Sequence, residues 1–145
     1  MTSSQVPEGK DRWLRAAGYG FLAEFATVIT IILIVQSYVH ILGRGLTAAH
    51  YAAFGQEVGR NAGVVGGTVW TYLFAQRLMP RLTGRFIAHG IVVALTAIAF
   101  SIAGSVIGHN GVPAAYFFAS ALKLAAGAVA GFLHSRSVSL NRNVV

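Results

Sequence analysis

Four apolar runs, near 16–42, 48–79, 86–108 and 113–133, take up most of the chain and decide what it can fold into. Each is long enough to cross a hydrocarbon layer of about 30 Å, which takes about 20 residues of helix. Lipid offers no hydrogen-bond partner to a bare peptide group. A crossing segment must therefore satisfy its own backbone, and continuous runs of this length do so as helices, not as barrel strands. The sequence predicts an all-α, integral membrane four-helix bundle in up-down order. Residues 1–15 are read as a leading polar segment, 16–135 as one four-span domain, and 136–145 as a tail. Composition agrees, since 55% of the residues are hydrophobic and only 10% are charged, a balance rare in a water-soluble domain of this length. The first run follows basic residues, as a secretory signal does, but its apolar part is about twice a signal's usual length and no A-x-A site closes it. It is expected to remain as the first span.

The formal charge of +7 raises the question of nucleic acid, and the placement of the cations answers it. Lys10, Arg12 and Arg15 precede the first run, Arg77, Arg81 and Arg85 surround the second turn, and Arg136 and Arg142 follow the fourth run. The other side has Arg44 and Arg60, and "GHNGV" at 108–112 has no Lys or Arg. Cations divided among short segments on one side fix orientation and touch lipid headgroups, so nucleic acid is not expected as a partner. The positive-inside rule puts both termini in the cytoplasm, in an inner membrane. Aromatic residues fall at the same edges: Trp13 and Tyr19 on the basic side, Tyr38, Tyr51, Tyr116, Phe117 and Phe118 on the other.

Thr47 has the chemistry and place of an N-cap for the second helix, which then runs inward for longer than a crossing needs. "MPRLTGR" at 79–85 contains Pro80 and Gly84 as helix stops, and "HNGVP" at 109–113 reads as a turn in which Pro113 starts the fourth helix. Short connections predict that sequential helices are antiparallel neighbours.

Gly55, Gly59, Gly63 and Gly67 recur one helical turn apart and form a slanting groove on the second helix. Water does not drive helices together inside lipid, so association relies on close van der Waals contact, which such glycines permit. Gly127 and Gly131 repeat the device on the fourth helix. Gly90, Ala94, Ala97, Ser101, Gly104 and Gly108 make a small-residue face on the third. These rows are expected either to hold the four helices together or to dock a further helix, from a second copy or another protein.

Glu24 and Lys123 lie deep within spans, where a charge costs about 3 kcal/mol on insertion scales and seldom lacks a partner. They meet if the first and fourth helices are adjacent, although side chains lean toward their own helix N-terminus and so lean apart. They are read as a register-setting ion pair or as a proton or cation site. "GFLAEFATV" at 20–28 resembles, over about ten residues, the first helix of the small multidrug-resistance transporters, which also have four short helices and a membrane-embedded glutamate. That resemblance implies an exchangeable proton or cation at Glu24. Glu57 and Arg60, three apart, are expected to pair near the outer surface.

Five histidines raise the question of a haem or chlorophyll, because neutral imidazole is a good axial ligand. His89 and His134 fall near the basic edge, and His40, His50 and His109 near the other, so His89, His134 and His40 are the candidate ligands. No two are spaced i, i+4 for a metal ion. The chain has no cysteine, one aspartate, Asp11, and no serine in a nucleophile-elbow context, so catalysis is not expected. The leading expectation is a helix-packing subunit of a membrane complex or homo-oligomer. A small proton- or cation-coupled transporter comes next, and a pigment-binding subunit third.

Overall fold

The computed structural model describes residues 10–41, 45, 47–108 and 114–142, without the side chains at 10–11 and 141–142. Four helices account for nearly all of them: α1 Lys10–Ile41, α2 Ala48–Leu78, α3 Phe86–Ile107 and α4 Ala114–Arg142. No strand occurs among the described residues. Helices α1, α3 and α4 are each long and apolar enough to cross a membrane. The chain is an all-helical membrane protein. The fourth span expected at 48–79 is a 31-residue helix, but it falls short in apolarity because Gln56, Glu57, Arg60 and Asn61 share it with five glycines.

Both outer boundaries move. Helix α1 starts at Lys10 rather than 16, and α4 continues to Arg142 rather than ending at 133. Polarity alone does not stop a helix. The hydroxyls of Ser135, Ser137 and Ser139 donate back to the carbonyls of Phe132, His134 and Arg136, so each is satisfied on its own helix. The first turns of α1 are anchored elsewhere: Arg12 donates to Thr83 Oγ1, and Trp13 stacks on His89 with ring centroids 4.2 Å apart.

Thr47 caps α2 as expected, its backbone extended and its side chain accepting from the His50 N–H at 3.4 Å. Gly45, in the same connection, has φ +90°, which suits a residue without Cβ. Pro80 lies in a single 3-10 turn, Met79–Arg81, directly after α2. The left-handed position before α3 falls on Arg85 (φ 51°, ψ 36°) and not on Gly84. Its carbonyl accepts from both the backbone N–H and Nδ1 of His89. Arg44, His109 and Pro113 lie outside the described residues.

Around the bundle the helices run α1, α2, α4, α3, so α1 and α4 face each other diagonally, and so do α2 and α3, which corrects the expectation that all sequential helices are neighbours: the 79–85 turn crosses the diagonal. The interior is built from small residues: Ala16, Ala23, Ala75, Ala94, Ala97 and Ala130 are buried, while Phe25, Leu33 and Phe117 point outward. That inversion suits a bundle whose solvent is lipid.

The buried core does not run the full length of the longer helices. Thr27 is the last buried residue on α1, and Gly67 the first on α2. Gly20 packs on Val93, and Glu24 reaches Ser101, so α3 ends about level with positions 30–33 of α1. Beyond that level the α1–α2 hairpin continues for about 13 Å as a two-helix arm, held in part by a Tyr38–Phe54 stack with ring centroids 3.7 Å apart.

Candidate functional site: a buried ion pair and two classes of glycine

Glu24 on α1, Ser101 on α3 and Lys123 on α4 meet at the bundle axis. Lys123 Nζ donates to Glu24 Oε2 at 2.6 Å and to Ser101 Oγ at 2.7 Å, and Ser101 Oγ donates to Glu24 Oε1 at 2.6 Å. Both carboxylate oxygens are thereby occupied. The side chains keep only 5% (Lys123) and 15% (Glu24) of their surface. An ion pair this dry is held by its geometry and by the neutral hydroxyl that joins it.

The pair forms across the diagonal, without the adjacency of α1 and α4 that the sequence reading required. Two features allow it. Gly131 packs on Ile87 at the start of α3, so the edge of the bundle on α4 lies near 131, beyond which the helix simply continues. Lys123 is therefore about 12 Å inside that edge, close to the roughly 13 Å between Arg15 and Glu24. The second feature is Gly67, where an added Cβ would lie 2.6 Å from Lys123 Cε and 3.2 Å from Nζ. The glycine on α2 is the socket through which the lysine stem passes.

Thr27 and Thr71 line the same region and donate to their own helix carbonyls, Ala23 at 2.9 Å and Gly67 at 2.7 Å. Ser101, expected on its spacing to be one of the small packing residues of α3, is instead the third member of the cluster. A hydroxyl on an otherwise apolar small-residue face was the available signal.

The glycines divide sharply. Cβ atoms placed on Gly90 and Gly127 would collide with each other's carbonyls, and one on Gly131 would lie 2.6 Å from the backbone of Ile87. A Cβ on Gly20, absent from the sequence expectations, would strike the Val93 carbonyl and lie 2.7 Å from Thr96 Cβ. The face at Gly127 and Gly131 is thus taken up by α3, which corrects the expectation that it docks a further helix. Of the row on α2, only Gly67 is used in this way. Gly55 and Gly59 meet nothing within 4 Å, and Gly63 only Ile31 Cδ1 at 3.9 Å.

Glu57 and Arg60 do not pair. Both are exposed on the arm, with no ion-pair partner among the described residues. At an exposed site an i, i+3 pair gains too little to hold two long side chains in one geometry. An apolar cleft of about 560 Å³ runs beside the arm, lined by Thr30, Leu33, Ile34, Ser37, Tyr38, Ile41 and Phe54.

The three candidate pigment ligands are not brought together. His89 is buried, its Nδ1 donates to the Arg85 carbonyl at 2.9 Å, Trp13 covers its ring, and its Nε2 has no exposed surface through which a macrocycle would reach it. His134 meets the edge of Phe86 at 4.8 Å, and His40 lies at the opposite end with Nδ1 donating to the Gln36 carbonyl. The geometry at His89 overturns its assignment as an axial ligand.

No protein-family model, no curated protein and no solved structure matches the chain.

Proposed function

We propose that this protein is a helix-packing subunit of a membrane assembly, homo-oligomeric or mixed, which docks its partner through the α1–α2 arm. The observation that carries the reading is the division within the glycine row on α2: Gly67 is consumed by its contact with Lys123, whereas a Cβ on Gly55 or Gly59 would meet nothing within 4 Å and one on Gly63 only Ile31 Cδ1. Gly55 and Gly59 lie on the arm and Gly63 at its base, beside exposed Gln56, Glu57, Arg60 and Asn61, where a polar surface favours a protein neighbour over acyl chains. The Glu24–Ser101–Lys123 cluster then fixes helix register. The distribution of basic residues supports an inner-membrane setting with both termini cytoplasmic.

The test is particle size in mild detergent. Gly59→Leu or Gly63→Leu is expected to dissociate a complex that the unaltered protein maintains, and an unchanged size with both substitutions defeats the reading. A proton- or cation-coupled transporter has less support, because Glu24 already gives both oxygens to internal donors. Loss of proton-coupled flux in liposomes on Glu24→Gln would favour transport instead.

A further inference from the structure

The fold gathers arginines from distant parts of the chain at one end of the bundle. Arg12 donates to Thr83, and Trp13 stacks on His89, so the start of α1 is pinned against the turn between α2 and α3. This sets Arg12 beside the turn that carries Arg81 and Arg85, with Arg15 about one helical turn further along α1. Arg77 is in the last turn of α2, and Arg136 lies on α4 at the same end.

Arg15, Arg77, Arg81, Arg85 and Arg136 are all exposed. No described carboxylate side chain accompanies them: Glu24 is bound to Lys123 in the core, and Glu57 is on the distant arm. A guanidinium offers a planar fork that matches two phosphate oxygens, which an ammonium does not.

Exposed apolar side chains share this end with the charges. Phe132, 49% exposed, lies beneath Arg136, whose guanidinium carbon is 6.0 Å from the ring centroid, and Leu14 (74%) and Ile87 (42%) are exposed in the first turns of α1 and α3. A free phosphate or a nucleic acid would use the guanidiniums and leave that apolar surface bare. A phospholipid uses both, with its phosphate among the arginines and its acyl chains along the helices.

We propose that this end is a binding surface for anionic phospholipid headgroups, centred on Arg15, Arg81 and Arg85 where the start of α1 meets the 79–85 turn. The surface selects anionic over zwitterionic lipid because the arginines at this end outnumber the one acidic residue of the first turns of α1, Asp11, and it selects lipid over soluble phosphate because the acyl chains add a second contact.

The experiment places the full-length protein in phosphatidylcholine nanodiscs and titrates in spin-labelled phosphatidylglycerol, with labelled phosphatidylcholine as the reference. The unaltered protein is expected to enrich phosphatidylglycerol, with the enrichment falling as salt rises. Arg81→Gln and Arg85→Gln should each weaken it about fivefold, whereas Arg44→Gln, in the connection between α1 and α2, should leave it unchanged. Equal occupancy by the two lipids overturns the proposal, as does an equal loss from Arg44→Gln. Displacement of the labelled lipid by millimolar inorganic phosphate, or by a duplex oligonucleotide at matched charge, would make the surface a general polyanion site and also overturn it. The salt titration of the unaltered protein decides the matter if a variant fails to fold, since enrichment insensitive to salt is incompatible with a phosphate contact.

Discussion

Lys123 reaches Glu24 across the bundle because Gly67 leaves an opening beside it: a single methyl group there would sit 2.6 Å from Lys123 Cε. A charge on the fourth helix and the absence of a side chain on the second are thus one structural feature. Gly67→Ala should cost about 1–3 kcal/mol through overpacking, because the lysine stem is clamped at its far end and cannot swing aside without losing its acceptors. Reversible unfolding in mixed micelles measures this, and a loss below about 0.5 kcal/mol would show the lysine free to move.

The ion pair itself is tested by a double-mutant cycle. Glu24→Gln and Lys123→Met should each destabilise by about 3–5 kcal/mol, since each leaves the opposite partner or its hydroxyl neighbour buried without its match. The double variant should lose far less than the sum. Strict additivity in the same unfolding assay would show that the two residues do not act together.

The two classes of glycine predict substitutions of opposite sign. Gly90→Ala and Gly127→Ala force apart backbones that are already touching and should destabilise the isolated protein by about 1–3 kcal/mol. Gly55→Ala and Gly59→Ala meet open space and should stabilise it by up to about 1 kcal/mol through helix propensity. Thermal unfolding in detergent compares the four, and a uniform response would contradict the division.

Arg85 holds a left-handed conformation that costs an ordinary residue about 1–2 kcal/mol. Arg85→Gly relieves that cost while keeping the carbonyl that caps His89, so it should raise the unfolding midpoint in lipid-free micelles. A lower midpoint would mean that the guanidinium contributes more to the fold than the backbone strain removes.

The helices were legible because their apolar runs leave no other way to satisfy the backbone in lipid. Their polar ends were not: Ser135, Ser137 and Ser139 look like tail residues until each hydroxyl is seen to bond within α4. Spacing marked the faces of Gly55 and Gly127 equally well, yet it carries no information about what stands opposite. Gly127 meets the backbone of α3 at Gly90, whereas Gly55 lies beyond the end of α3 and meets nothing within 4 Å. Glu24 and Lys123 were recognisable as partners by the cost of burying either alone. Ser101 was not, because a small residue that permits close approach and one that joins an ion pair have the same side chain.

The two hairpins also differ in reach. Helix α3, with 22 residues, measures about 33 Å and suits an average bilayer, whereas α1, with 32, measures about 48 Å. A molecule with unequal legs has no single resting thickness. Short-chain lipid will leave the longer pair projecting or tilted, while long-chain lipid will draw it in and cover it, so acyl-chain length should tune how much of Gly55 and Gly59 is offered to a neighbour.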